Sequence, residues 1–233
     1  DEDIARRLAD LPIMLEISLD GTEDLHNKFK IPRDKSTNPY AETRRGIELM
    51  LEQGLDFYVV MVATPETAGQ LQESFEHVHS LGVRHLDINY AIGSLWNRQA
   101  IETYLAQVTS ILKQYAGDIK KDSLKLGNIR SRVEPSILNP EWMVDTDGSV
   151  HLMTEWVFQS SVDAGPGRFA FGNVREGLNF NSIYADRFHA YYTLLQSAGW
   201  KMAHLRKIIH NNVEVGRRVG KFFGSISGRS SMP

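Results

Sequence analysis

The sequence contains no cysteine. That excludes a disulfide framework, a thiol nucleophile, cysteine-bound zinc and any iron–sulfur cluster held in the usual way by this chain's own residues. No run approaches the ~20 apolar residues that a membrane span needs. No basic-then-apolar segment marks a secretion signal, and the first residue is Asp1 rather than methionine, so the expectation is a cytoplasmic protein with something removed upstream. With 42% hydrophobic and 24% charged residues the composition is globular, which excludes disorder and collagen. The 233 residues fit one large domain or two small ones.

Net charge is −3 and unevenly spread. Residues 1–123 carry 13 Lys+Arg against 20 Asp+Glu, and residues 124–233 carry 13 against 9. The basic excess lies after Gly199, where Lys201, Arg206, Lys207, Arg217, Arg218, Lys221 and Arg229 face one acid, Glu214. No recognition motif or interleaved aromatic accompanies it, so a solvated helix face and tail is expected rather than a nucleic-acid site.

The first 116 residues alternate between strand and helix patterns. A helix over 3–9 leads into an apolar run at 13–18, then a polar loop of about twenty residues that is long for a compact domain. Ile47, Met50, Leu51 and Leu55 recur at helical spacing. Phe57 to Val62 reads as a strand covered on both faces. Thr64-Pro65 is expected to cap the next helix, with Leu71, Phe75 and Val78 as its buried stripe. Val83 to Tyr90 reads as a third strand, and residues 101–115 carry the strongest helical repeat. This order predicts parallel strands with right-handed crossovers.

After Gly117 the composition changes. Residues 118–125 look like a linker, and Trp142 to Met153 reads as a β-hairpin around Asp147-Gly148. Asp145 and Asp147 resemble the start of a calcium loop, but the glycine comes two positions early and the twelfth-position carboxylate is missing. Residues 169–177 predict a second short strand and turn. Tyr184, Phe188, Tyr191, Tyr192 and Leu195 mark one helix, and Met202, Leu205, Ile208 and Ile209 another; Gly216, Gly220 and Gly224 predict a flexible tail.

Three groups of residues resemble a known family. Ser18-Leu19-Asp20-Gly21, then His26 to Lys30, then a helix with Gly46-Ile47 are similar to the SLDG, HDxxR and GI segments of radical S-adenosylmethionine (SAM) enzymes that modify peptides and sulfatases. Val59 to Thr64 and Gly82 to Leu86 resemble the next two strands of that partial (βα)6 barrel. Val144 to Val150 and Phe171 to Gly177 resemble the start and middle of a SPASM domain, the family's C-terminal extension.

The resemblance covers roughly residues 1–180 and implies an α/β fold. The expected plan is a partial (βα) barrel of about three parallel strands with helices at 1–116, a small SPASM-like hairpin region at 117–180, and C-terminal helices with a basic tail at 181–233. The family's Cys-x3-Cys-x2-Cys loop and glycine-rich SAM segment have no counterpart, and Met153 and Thr154 stand where the first SPASM cysteine is expected. The resemblance therefore implies a chain that begins before the barrel's fourth strand.

For the cofactor site the resemblance nominates Ser18 and Lys30. Ser18 ends a strand where its hydroxyl could meet the polar end of SAM, and Lys30 replaces the family's arginine, supplying a charge without the bidentate fork. The plainer reading is a strand-end serine and a solvated loop lysine. His85, Asp87 and Asn89 alternate along one strand and share one face. They are candidate substrate-binding residues lining a barrel interior, or structural polar residues bonded to one another. One histidine and one aspartate are thin for a metal, so none is assigned.

The leading expectation is a cysteine-free radical SAM/SPASM-like accessory or peptide-binding protein, not catalytic by itself and holding no cofactor as an isolated chain. A rival class is the C-terminal portion of a split or truncated maturase, with SAM and a [4Fe–4S] cluster present only when a cysteine-bearing half completes the barrel. A third is an unrelated α/β binding domain. The expected partners are a peptide or a maturase. Because residues 13–18 would form an open barrel edge, a second copy, a partner chain, or the chain's own C-terminal helices with Tyr184, Phe188, Tyr191 and Leu195 are expected to cover it.

Overall fold

A computed structural model describes residues 2–9, 11–127, 142–152, 172–178 and 202–226. The chain forms two compact units, one of Asp1–Ala91, Asn97–Arg132 and Phe222–Pro233, the other of Ile92–Trp96 and Val133–Lys221.

The first unit is built on a four-stranded parallel sheet, β1 (Leu15–Ser18), β2 (Phe57–Ala63), β3 (His85–Tyr90) and β4 (Lys125–Leu126), with spatial order equal to chain order. Its helices are α1 (Glu2–Ala9), α2 (Glu23–Phe29), α3 (Pro39–Glu52), α4 (Leu71–Ser80), α5 (Arg98–Gln114) and α6 (Ala116–Lys120). Sequential parallel strands joined by right-handed crossovers put the covering helices on one side, as in a (βα) barrel. The fold is α/β, a partial barrel. Among the described residues, strand β1 lies at one edge of the sheet.

Alternation divides the two faces. Val59, Met61 and Ala63 of β2, Leu86, Ile88 and Tyr90 of β3, and Leu126 are buried. The inward stripes of α4 (Leu71, Phe75, Val78) and α5 (Ile101, Tyr104, Val108, Ile111) are buried too. The Tyr104 hydroxyl donates to the Ile88 carbonyl at 2.9 Å, and complete burial drives its phenol well above the ordinary range. The other face presents Glu16, Ser18, Tyr58, His85, Asp87, Asn89 and Lys125, each half-buried or exposed, around the buried Val60 and half-buried Val62 of β2.

Four local expectations need correction. The long polar loop contains α2, whose apolar residues Leu25 and Phe29 are too few to carry a periodicity. Thr64-Pro65 does not cap a helix: the Thr67 hydroxyl accepts from the Thr64 amide at 2.9 Å and the Thr64 carbonyl accepts from the Thr67 amide at 3.1 Å, closing a turn. A 3-10 turn at Ala68–Gln70 follows before α4 begins. The apparent linker holds α6 and β4, anchored by buried Leu124 and Leu126. The glycines expected in a flexible tail lie inside a 25-residue helix, α7 (Met202–Ile226). There Ile208, Ile209, Asn212, Val215 and Val219 form a buried stripe whose spacing outweighs the glycine propensity.

In the second unit, β5 (Trp142–Val144) and β6 (Val150–Leu152) form the expected antiparallel hairpin. Gly148 has φ +85°, which the turn requires. A smaller hairpin, β7 (Gly172–Asn173) with β8 (Gly177–Leu178), docks on that turn. The Asn173 amide donates to the Asp147 carbonyl at 3.1 Å, and the Val174 amide to the Gly148 carbonyl at 2.9 Å. Asp147 accepts from the Ser149 amide and hydroxyl, and Asp145 from the Thr146 amide, so both carboxylates serve the turn. Met153, Thr154 and the expected helix over residues 184–195 lie outside the described residues.

Candidate functional site

The carboxyl end of β1 collects four polar residues. Ser18 ends the strand, half-buried and opposite Val60. Two residues on, the Asp20 carboxylate accepts from the Val62 amide at 3.1 Å, tying β1 to β2 at their upper ends. The Asp20 amide donates to His26 Nδ1 at 3.3 Å. In the neutral ring this leaves the imidazole proton on Nε2. Lys30 caps the C-terminus of α2, and its ammonium stands 4.0 Å from Asp20 Oδ2. Among the described residues no hydrogen bond joins Lys30 to Ser18; Asp20 is what Lys30 faces.

Further bonds fix α2. Asn38 caps α3 by accepting from the Ala41 amide, accepts from the Asn27 amide group at 2.9 Å and donates to Glu23 at 2.6 Å. Asn27 in turn accepts from the Tyr40 amide. The His26 ring lies edge-on to Tyr40, whose hydroxyl is 2.7 Å from His77 Nε2. This network sets where α2 ends and so where Lys30 stands.

His26 is 2% exposed. Burial holds its pKa below the ordinary 6.5; the Asp20 charge opposes that shift and Lys30 adds to it. His79 is lowered in the same direction, by burial and then by Arg84. A histidine held neutral when folded makes the unfolded chain the better proton acceptor. Stability is therefore whole above the unfolded pKa near 6.5 and declines as pH falls below it, by at most about 1.4 kcal/mol per pH unit per group. His26→Asn keeps an acceptor for the Asp20 amide and removes the titration. Its denaturant midpoint should fall less steeply between pH 7 and 5 than that of the parent, with the His79 share remaining; parallel profiles would refute the assignment.

The second set lies on the polar face of the sheet. His85, Asp87 and Asn89 share that face, as the alternation along β3 requires. They do not stand alone. Register places Glu16, Tyr58, His85 and Lys125 in one row across β1 to β4. The Tyr58 hydroxyl donates to Glu16 at 2.6 Å, and the Tyr58 and His85 rings meet at 5.3 Å between centroids. One layer higher, the Asp87 carboxylate occupies space that only a glycine at 127 leaves: a Cβ there would fall on it.

Inspection of the sequence missed Asp20, His26, Glu16, Tyr58 and Lys125. For Asp20 and His26 the signal was present, since both lie inside the two motifs that nominated Ser18 and Lys30. Glu16 and Tyr58 become neighbours only through strand register, and Lys125 sits in a strand of two residues.

No protein-family model matches the sequence, and no curated protein does. Solved structures do. Native anSMEcpe with bound AdoMet aligns over 98% of this chain and 72% of its own, at a TM-score of 0.65 and 12% identity. The same protein with AdoMet and the Cp18Cys peptide aligns over 99% and 74%, and with the Kp18Cys peptide over 98% and 73%, both again at 0.65 and 12%. That protein is an anaerobic sulfatase-maturating radical SAM enzyme. At this identity the likeness is one of fold, and the chain has a radical SAM maturase-like fold.

The cluster of such enzymes does not fit this chain. Its donors are thiolates. The sequence offers none, and among the described residues no three His, Asp or Glu side chains gather as a metal ion would require.

Proposed function

We propose that the protein is a peptide-binding relative of the radical SAM maturases that carries out no cluster chemistry with its own residues. The observation that supports it most is the polar face of the parallel sheet. Both faces of a parallel sheet are ordinarily covered and apolar. Here the face opposite the helices carries Glu16, Tyr58, His85, Asp87, Asn89 and Lys125 around Val60 and Val62, with Asn89, Glu16 and Lys125 exposed. Convergent polar groups on the inner side of a partial barrel suit a peptide, which offers its own amides and carbonyls as partners. The solved structures of like fold include two with peptides bound.

Ser18 and Lys30 fit a weakened SAM site. Lys30 is already committed to Asp20, so a methionyl carboxylate would compete for it while the methionyl ammonium could meet Asp20. With neither a cluster iron nor a glycine-rich segment, affinity for SAM should be about millimolar at best.

A second reading is favoured by one observation. Leu11, Ile13 and Met14, which lead into edge strand β1, are 52%, 43% and 52% exposed. An apolar approach to an open edge suits a partner chain, either a second copy or a cysteine-bearing polypeptide that completes the barrel.

One experiment separates these readings. The chain, purified anaerobically, is titrated into fluorescein-labelled Cp18Cys and Kp18Cys peptides, and its iron is measured. Micromolar binding without iron is the expected result. Absence of binding to both peptides would overturn the peptide-binding reading, and stoichiometric iron with visible absorption would overturn the cluster-free one. Iron that appears only when a cysteine-bearing partner is co-purified would establish the second reading instead.

A further inference from the structure

The row across the polar face is ordered by charge. At one edge Glu16 presents a carboxylate, exposed and fixed by the Tyr58 hydroxyl at 2.6 Å. In the middle, Tyr58 and His85 hold each other ring to ring. At the other edge Lys125 presents an exposed ammonium beside His85, its register partner. All four belong to the first unit and to one layer of one sheet.

The row also has a length. Neighbouring strands lie about 4.8 Å apart, so three intervals carry the row about 14 Å along the sheet from Glu16 to Lys125. An extended peptide rises about 3.3 Å per residue and turns side chains to the same face at every second position. Four residues therefore span about 13 Å and return to the same face; three residues fall short and point the second side chain away.

We infer that this row selects extended peptides carrying a basic and an acidic side chain four residues apart, the basic one over Glu16 and the acidic one over Lys125 and His85. The segment lies across the strands, with the Tyr58 and His85 rings beneath its middle residues. This deepens the peptide-binding reading and rests on it. Charge at both ends of the row, rather than at one, is what favours such a peptide over a simple anion or cation.

The test uses the whole chain and fluorescence polarisation with labelled twelve-residue peptides of otherwise neutral sequence. The probes carry Lys and Glu at i and i+4, Lys and Glu at i and i+3, or Gln at both positions of the i,i+4 pair. The i,i+4 charged peptide is expected to bind about five- to tenfold more tightly than the other two, the scale of two exposed ion pairs. Glu16→Lys should abolish that preference. Adding Lys125→Glu should restore it, because the peptide can lie in the opposite direction over an inverted row. Both positions are exposed, and unchanged circular dichroism and melting would show that the variants fold.

Equal affinity for all three probes, or a preference untouched by Glu16→Lys, would overturn the row while leaving peptide binding intact. Failure to bind these probes and both the Cp18Cys and Kp18Cys peptides would overturn the row and the reading beneath it together.

Discussion

Gly21→Ala should destabilise the first unit by about 2–4 kcal/mol, the sum of a backbone strain of about 1–2 and an overpacking cost of similar size. Gly21 has φ +139°, a region that side chains avoid, and a Cβ built there falls on both Cβ and Oγ of Ser74, with Leu25 Cδ2 at 3.2 Å. Ser74 is itself buried on α4, so the strand-to-helix turn after β1 and the first turns of α4 touch with nothing between them. A double-mutant cycle separates the two costs. Ser74→Gly removes the obstructing Cβ at a helix-propensity cost of about 0.5 kcal/mol, and should recover roughly half of the Gly21→Ala loss but not the backbone part. Urea unfolding of the four variants reads this directly. A Gly21→Ala protein within 0.5 kcal/mol of the parent, or a cycle with no coupling, would show that the close approach does not exist.

The same contact explains how much of this site a reader of the sequence could reach. Ser18-Leu19-Asp20-Gly21 stands out as a motif, while the strand is legible from the apolar run at 13–18 and the helix before β2 from the spacing of Ile47, Met50, Leu51 and Leu55. That the glycine is needed because Ser74 stands above it is invisible, since fifty residues separate them and neither has a periodicity that points to the other. Strands β2 and β3 were legible because β-branched and aromatic residues run unbroken or alternate with polar ones. Strand β4 was not, because two residues inside Ser123-Leu124-Lys125-Leu126 carry too little pattern, and its existence rests on pairing with β3. Lys30, nominated as a charge for a cofactor, caps α2 and stands 4.0 Å from Asp20. That counter-charge is legible in the sequence only as part of the Ser18-Leu19-Asp20-Gly21 motif, because ten residues separate it from Lys30. The row from Glu16 to Lys125 depends wholly on register, a property of four strands taken together.

In the second unit, Asn212→Ala should cost about 2–4 kcal/mol and lower the melting temperature by about 5–10 °C. Asn212 is fully buried on α7. Its side-chain oxygen accepts from the Gly93 amide at 2.8 Å and its nitrogen donates to the Ser94 carbonyl at 2.7 Å. The adjacent Asn211 repeats the device on Trp96, accepting from its amide and donating to its carbonyl, each at 2.7 Å. Two side-chain amides thus stand in for a backbone ladder along the loop that follows β3, and truncation of Asn212 leaves a donor and an acceptor without their partners. Asn212→Asp tests the geometry more finely. Its carboxylate can still accept from Gly93 but faces the Ser94 carbonyl with a like charge, so burial and repulsion raise its folded pKa above the unfolded one. The variant should therefore be least stable at neutral pH and regain stability relative to the parent as the pH falls through the carboxyl range, where the acid can donate to Ser94. Hydrogen exchange at the Gly93 and Trp96 amides locates the effect. If Asn212→Ala leaves both amides protected and the melting temperature within 1 °C, the clamp carries no energy; if Asn212→Asp loses stability relative to the parent on acidification, the donor to Ser94 has been assigned to the wrong atom.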